Sequence, residues 1–326
     1  MKILVVFTGG TIGSTKNNGV IAPDKSNSYL LLDLYQKFDE QTEFVSVQPY
    51  TILSENLCGD NLNLLYDCIC KNLSPDIDGV IVTHGTDTLQ YTSAFLSYAF
   101  GLCSIPIVVV SANFPLADKR SNGLANFTSA VDFIREKVGH GVFVAYKNEG
   151  ENPKIHRASR LIAHRSYDDN VFSIFNSFYG EVIEHSFAKN SAYSQLDDKI
   201  SFSDNIRLGS CSNVMRVNPY VGIVYPVVSD KIKAILLEGY HSGTLNTVSQ
   251  DFIDFCKGAD DKNIPVFLTG ACKGFYYESK LMYKKLKINV LPTASPIAMY
   301  QKLWLLNNDI INNIILPCGA DILENL

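Results

Sequence analysis

At 326 residues the chain is too long for one small core and fits two α/β domains of roughly 100–200 residues each. With 46% hydrophobic and 19% charged residues, it has the composition of a folded globular protein rather than a disordered or fibrous one. The net charge is −5, and no basic run is longer than Lys284-Lys285-Leu286-Lys287, which argues against nucleic acid as a partner. No stretch reaches the roughly 18 apolar residues a membrane helix needs.

In chain order, Lys2–Thr8, Glu43–Gln48, Gly79–Thr83, Pro106–Ser111 and Val142–Lys147 are β-branched runs that end in polar loops. Between them, Asn61–Asn72, Leu89–Gly101 and Gly123–Val138 repeat apolar residues at three and four positions. That alternation predicts an α/β fold whose larger N-terminal domain, residues 1–185, is a doubly wound, mostly parallel sheet with helices on both faces. From about Tyr179 the sequence turns polar and irregular, and residues 186–213 read as the connection. A smaller C-terminal α/β domain follows over 214–326. Its expected strands are Tyr220–Tyr225, Lys233–Glu238, Pro265–Thr269 and Lys287–Val290, and its expected helices Thr247–Lys257 and Ser295–Asn307.

The apolar run Ile3–Phe7 breaks at Thr8-Gly9-Gly10, so it does not read as a signal-peptide core. Cysteines at 58, 68, 70, 103, 211, 256, 272 and 318 form no CxxC pair, and are expected to be reduced core thiols of a cytoplasmic protein. The six histidines lack HExxH spacing, so neither a metal nor another cofactor is expected.

In open parallel sheets, ligands sit beyond the carboxyl ends of strands. The first strand runs directly into Thr8-Gly9-Gly10-Thr11-Ile12-Gly13-Ser14. Paired glycines let backbone approach a ligand and aim N–H groups at an anion, while Thr11 adds a hydroxyl. A phosphate loop does not fit GxxxxGK[ST], and GxGxxG fails because Thr8 stands at its first glycine; a plain glycine turn starting a helix is the other reading. The third strand ends in His84-Gly85-Thr86-Asp87-Thr88, bringing a second hydroxyl and a carboxylate to the same rim, as activation of a weak nucleophile requires. Structural roles compete here: Asp87 as the N-cap of the following helix, and His84 as a core histidine satisfied by backbone.

TGGTI followed by HGTDT resembles the bacterial-type L-asparaginase and glutaminase-asparaginase family, and the two-domain layout matches over essentially the whole chain. The resemblance implies hydrolysis of the side-chain amide of asparagine, with glutamine second. It places the nucleophile on Thr11, a second threonine–aspartate pair on Thr86 and Asp87, and oxyanion contacts on Gly10 and Thr86. Leu53-Ser54-Glu55-Asn56 is similar to the family loop in which serine takes the substrate α-carboxylate. Glu55, with Asp87, would then take the α-ammonium, as a carboxylate suits that cation. Glu238-Gly239-Tyr240-His241-Ser242-Gly243-Thr244-Leu245 is similar to the segment that reaches into the active site of a neighbouring copy, the polar contact falling on Thr244. A homo-oligomer, dimer or tetramer, is implied.

Two departures stand out. Asn18-Gly19-Val20-Ile21 places valine where the family has a lid tyrosine, and Tyr29 is the nearest alternative. The expected Thr-Lys is replaced by Ser159-Arg160, with Arg165 as a second candidate. Arginine keeps its proton at ordinary pH, so Arg160 would hold Asp87 ionised or stabilise negative charge rather than act as a neutral base, with a surface ion pair as its competing structural role. These departures motivate a second reading, an amino-acid-binding or sensing protein without turnover. A third, the amidotransferase relatives acting on aminoacyl-tRNA, ranks lower because the sequence offers neither an extra N-terminal domain nor a basic surface.

Overall fold

The computed structural model describes residues 1–17, 20–23, 27–202, 206–271 and 277–324; of these, 15–17, 20–23 and 27–29 are described by backbone alone. The chain is mixed α/β, with one large, mostly parallel sheet and several smaller ones, as expected. In chain order the first part contains β1 (Lys2–Phe7), the hairpin β2 (Ser14–Asn17) and β3 (Val20–Pro23), α1 (Asn27–Gln36), β4 (Glu43–Val47) and α2 (Gly59–Asn72). There follow β5 (Gly79–Thr83), α3 (Leu89–Phe100), β6 (Pro106–Val110), α4 (Gly123–Glu136) and β7 (Gly141–Tyr146), then β8 (Lys154–Arg157), β9 (Gly180–Ile183) and β10 (Ser186–Lys189).

The large sheet has the order β10-β9-β8-β7-β6-β5-β1-β4. Strands β4, β1, β5, β6 and β7 are parallel, and β8, β9 and β10 extend the sheet antiparallel. Parallel strands are buried on both faces and so read as continuous apolar runs. Here alternate residues fill two cores. Leu4, Val6, Val80 and Val82 pack with Leu62, Leu65 and Phe95 of α2 and α3, whereas Ile3, Val5, Ile81 and Val108 pack with Leu31, Tyr35, Phe127 and Val131 of α1 and α4.

The chain crosses from β1 to β4 on one side and then returns to β5 on the other. That reversal makes β1 the point where the strand order switches, which is where ligands bind in such sheets. The register Phe7↔Thr83 and Val6↔Val47 starts the three following loops at one level.

The second sheet is parallel throughout: β11 (Val214–Val217), β12 (Ala234–Glu238), β13 (Val266–Thr269) and β14 (Ile288–Val290). It is covered by α5 (Gln250–Asp260), α6 (Glu278–Lys285) and α7 (Pro296–Leu305). Helices α3 and α7 join the two parts, with Tyr98 Oη donating to the Ala298 carbonyl at 3.0 Å.

Three expectations are corrected. The strand expected at Tyr220–Tyr225 is absent; the segment is a loop between Pro219 and Pro226, with Val221 95% exposed, and the strand is Val214–Val217 instead. Within the segment expected to be a connection, Ser186–Lys189 pairs with β9. Core thiols are found at Cys256 and Cys318, while Cys70 and Cys211 are exposed; every described cysteine is outside any disulfide. Among the described residues no helix is long and apolar enough to cross a membrane.

Candidate active site

The loops leaving β1, β4 and β5 carry Thr11, Ser54 and Thr86, and they touch through backbone. Gly10 sits at φ 74°, ψ −176°, and a Cβ there would lie 2.3 Å from the Gly85 Cα. Only glycine allows both that conformation and that approach. Gly85 in turn abuts Ser54: a Cβ on Gly85 would fall 2.5 Å from Ser54 Oγ. Gly9 forms a bridge with Ile52, and the Gly10 N–H donates to the Ile52 carbonyl at 3.0 Å. The Gly10 amide is therefore committed within the fold and cannot serve as an oxyanion donor; this glycine supplies space. Among the described residues, the N–H groups of Thr11, Thr86 and Asp87 engage no other protein group.

Thr11 opens a single 3₁₀ turn, Thr11–Gly13, and is half-buried; its hydroxyl bonds no described residue. The turn is fixed from below by Ser14 Oγ, which donates to the Gly10 carbonyl at 2.7 Å. Thr86 is also half-buried, its hydroxyl donating to the Ala112 carbonyl at 3.0 Å with Ser111 Oγ 3.3 Å away. Ser54, 5% exposed, donates to Asp87 Oδ2 at 3.2 Å, and Thr88 Oγ1 donates to the Ser54 carbonyl at 2.8 Å. Glu55 follows Ser54 on the same short turn and faces solvent. Thus Gly10, Thr11, Ser54, Glu55, Thr86 and Asp87 belong to three abutting turns.

The competing structural roles divide. Thr88, not Asp87, occupies the N-cap position of α3, and no side chain caps that helix. His84 does behave as a core histidine. Its Nδ1 lies 2.7 Å from the Gly85 carbonyl and its Nε2 2.8 Å from Thr92 Oγ1. One ring nitrogen donating and one accepting is the pattern of a neutral imidazole, and burial pushes its pKa down to about 4.

Two expected members lie apart. Arg160 is fully buried, its Nε donating to the Ala320 carbonyl at 2.9 Å and its guanidinium 4.7 Å over the Tyr193 ring. Among the described residues it makes no hydrogen bond or ion pair with Asp87, so the expected role of holding Asp87 ionised lacks a contact. Arg165, the second candidate, lies over Phe172 at 5.4 Å. Thr244 is engaged within its own turn, its carbonyl accepting from the Tyr240 N–H at 3.0 Å. Asn18 and Gly19, at the lid position, and the side chains of Val20, Ile21 and Tyr29 lie outside the described parts of the chain.

Sequence reasoning missed two further groups. Arg216 of β11 donates to Tyr91 Oη at 2.7 Å and is ion-paired with Glu238 at the end of β12, tying the first turn of α3 to the second sheet. His164 lines a narrow cleft with Leu89 and Gln90 at the start of α3, and burial lowers its pKa from 6.5 while the charge of Asp87 opposes the shift. Neither has a spacing motif to announce it.

A family model described as "Asparaginase, N-terminal" matches residues 2–192. The chain belongs to the asparaginase family. It is 25% identical to a Glutamyl-tRNA(Gln) amidotransferase component of Methanosarcina barkeri, over 98% of this chain and 78% of that one. It is 25% identical to the L-asparaginase of Dirofilaria immitis, over 83% of this chain and 50% of that one. Its fold is that of the thermostable L-asparaginase from Thermococcus kodakarensis, with a TM-score of 0.77, 23% identity and 100% of each chain covered. The threonine turns of this asparaginase-type fold lie at the carboxyl rim of the large sheet.

Proposed function

We propose that this chain is an amidohydrolase converting L-asparagine to L-aspartate and ammonia, with L-glutamine as the lesser substrate. The observation that carries the reading is the contact of the three turns at the switch point: Gly10 against Gly85, and Ser54 on Asp87. Thr11 Oγ1 forms a bond to the amide carbon as its proton leaves, and ammonia departs with a proton. Water then adds to the acyl-threonine and releases aspartate. The N–H groups of Thr11, Thr86 and Asp87, which bond no described group, supply donors for the developing oxyanion.

Ser54 receives the α-carboxylate, and Glu55 and Asp87 the α-ammonium, so simple amides lacking those groups react poorly. Residues 1–185 and 214–326 act as two domains joined through 186–213. The exposed Tyr220, Val221, Val224 and Val227 of the second part support a homo-oligomer, and Thr244 serves a site completed by a second copy. The protein works in the cytoplasm.

A second reading is favoured by the amidotransferase relatives: release of ammonia for transfer to an acceptor on tRNA. A third, amino-acid sensing without turnover, is favoured by Arg160 standing where a lysine is expected and facing Ala320. Purified protein offered asparagine, glutamine and acetamide separates them. Turnover of asparagine above glutamine, with acetamide inert, supports the proposal. Glutamine turnover alone favours the amidotransferase, and aspartate binding by calorimetry without ammonia release favours the sensor.

A further inference from the structure

Resting on the amidohydrolase reading above, we propose that Arg216, in the second sheet, is a positioning residue of the candidate site: it grips the first turn of α3 through Tyr91 and so sets the Ser54–Asp87 pair. Every link between them is a hydrogen bond. Arg216 Nη1 donates to Tyr91 Oη at 2.7 Å, and the Tyr91 N–H donates to the Thr88 carbonyl at 3.1 Å. Thr88 Oγ1 then donates to the Ser54 carbonyl at 2.8 Å, and Ser54 Oγ to Asp87 Oδ2 at 3.2 Å.

The guanidinium is aimed from its own sheet. Arg216 lies on β11 in register with Leu236 of β12, and Glu238 ends β12 two residues on. Glu238 takes the Nε side of the planar fork, and the Arg216 and Glu238 side chains are only 20% and 19% exposed. A fork held at one edge presents its remaining nitrogens in fixed directions. Tyr91 is steadied in turn by Tyr300 of α7, whose ring meets it edge-on at 6.0 Å.

The start of α3 has a particular need for an outside hold. The first turn of a helix leaves backbone N–H groups unpaired, and a threonine at the N-cap ordinarily bonds one of them. Thr88 stands at the N-cap of α3, yet its hydroxyl bonds Ser54 and no side chain caps the helix. The group that would steady the helix is thus committed to the substrate turn, and the Arg216–Tyr91 bond steadies the helix in its place. Docking of the two parts has its own buried anchors further along α3. There Tyr98 Oη bonds the Ala298 carbonyl and Asp321, which is itself paired with Lys302. Arg216 acts at the other end of that helix, the end that carries the site.

The test joins kinetics with amide hydrogen exchange. Ammonia release from asparagine is followed for the wild type, Arg216→Met, Tyr91→Phe and the double variant, and exchange is measured over residues 84–92. Tyr91→Phe keeps the ring and the Arg216–Glu238 pair, so it decides the matter if Arg216→Met does not fold. Each single variant is expected to raise KM about tenfold, as loss of a hydrogen bond to a charged group allows, with kcat changed by no more than about threefold. The double variant should match the singles, because both substitutions remove the same bond. The Tyr91 and Thr92 amides, which both bond the Thr88 carbonyl, should exchange about tenfold faster in Tyr91→Phe. Wild-type KM or wild-type exchange in Tyr91→Phe overturns the proposal, as does a double variant whose rise in KM is the product of the single rises. A wild type that releases no ammonia defeats the amidohydrolase reading instead; exchange at those two amides in Tyr91→Phe then decides the positioning role by itself.

Discussion

Ser54 Oγ lies 3.2 Å from Asp87 Oδ2, joining two residues that are 33 positions apart and leave neighbouring loops of the switch point. This bond holds the carboxylate assigned to the ammonium beside the serine assigned to the carboxylate. Ser54→Ala is expected to raise KM for asparagine about tenfold or more, since a hydrogen bond to a charged group contributes roughly 1.5–3 kcal/mol. The effect on kcat should be smaller, because the serine holds substrate rather than the reacting carbon. Steady-state kinetics at fixed pH distinguishes that pattern from a fall in kcat alone.

Gly10 and Gly85 touch closely enough that a methyl group on Gly10 would meet the Gly85 backbone at 2.3 Å. No flexible side chain can give way there. Gly10→Ala is expected to lower stability by roughly 1–3 kcal/mol, the usual cost of overpacking, and to separate the threonine turns so that activity falls further than stability. Denaturant midpoints and ammonia release measured on one preparation provide the comparison.

A buried ion pair links α7 to the C-terminal segment. Lys302 and Asp321, both 0% exposed at the side chain, are 2.8 Å apart, and Tyr98 Oη from α3 also donates to Asp321. Removing one partner leaves an uncompensated buried charge, so Lys302→Met should cost about 3–5 kcal/mol. Adding Asp321→Leu should recover most of that loss, which urea unfolding of the single and double variants would reveal.

Two buried histidines give the fold an acid dependence. Burial lowers the pKa of His84 to about 4 and that of His156 to about 3, from 6.5. Between pH 6.5 and about 4 the unfolded chain therefore binds protons that the folded chain does not, so stability falls with acidification. For His84 the loss is on the order of 3 kcal/mol once pH reaches 4. The urea midpoint should drop between pH 7 and 4.5, and drop less in His84→Gln after correction to a common pH 7 reference.

The parallel strands were readable because burial on both faces leaves unbroken apolar runs. β1, β4, β5, β6 and β7 each begin and end within one residue of the expected limits. β8, β9 and β10 escaped notice because each has only four residues and mixes polar with apolar ones, so that only sheet pairing makes them strands. Tyr220–Tyr225 misled for the opposite reason: its β-branched residues look like a strand, yet prolines bracket it and no described neighbour pairs with it. Arg216 hid the true strand, because a charge in a four-residue run makes sense only once Tyr91 and Glu238 are seen to meet it.

At the site, the glycine and threonine turns were legible because their residue types are dictated by close approach. The commitment of the Gly10 amide to Ile52 and the orientation of Arg160 toward Ala320 are products of tertiary packing, and so is the place of His164 beside Leu89 and Gln90.

The central claim is that the Thr11 hydroxyl attacks the amide carbon of free asparagine. Ammonia release by the wild type and by Thr11→Ala, at saturating asparagine and with equal fold content verified by circular dichroism, tests it most directly. The wild type should turn over and the variant should fall by at least about 10³-fold, as expected when a nucleophile is lost. Equal rates from the two proteins, or no ammonia from either, would contradict it.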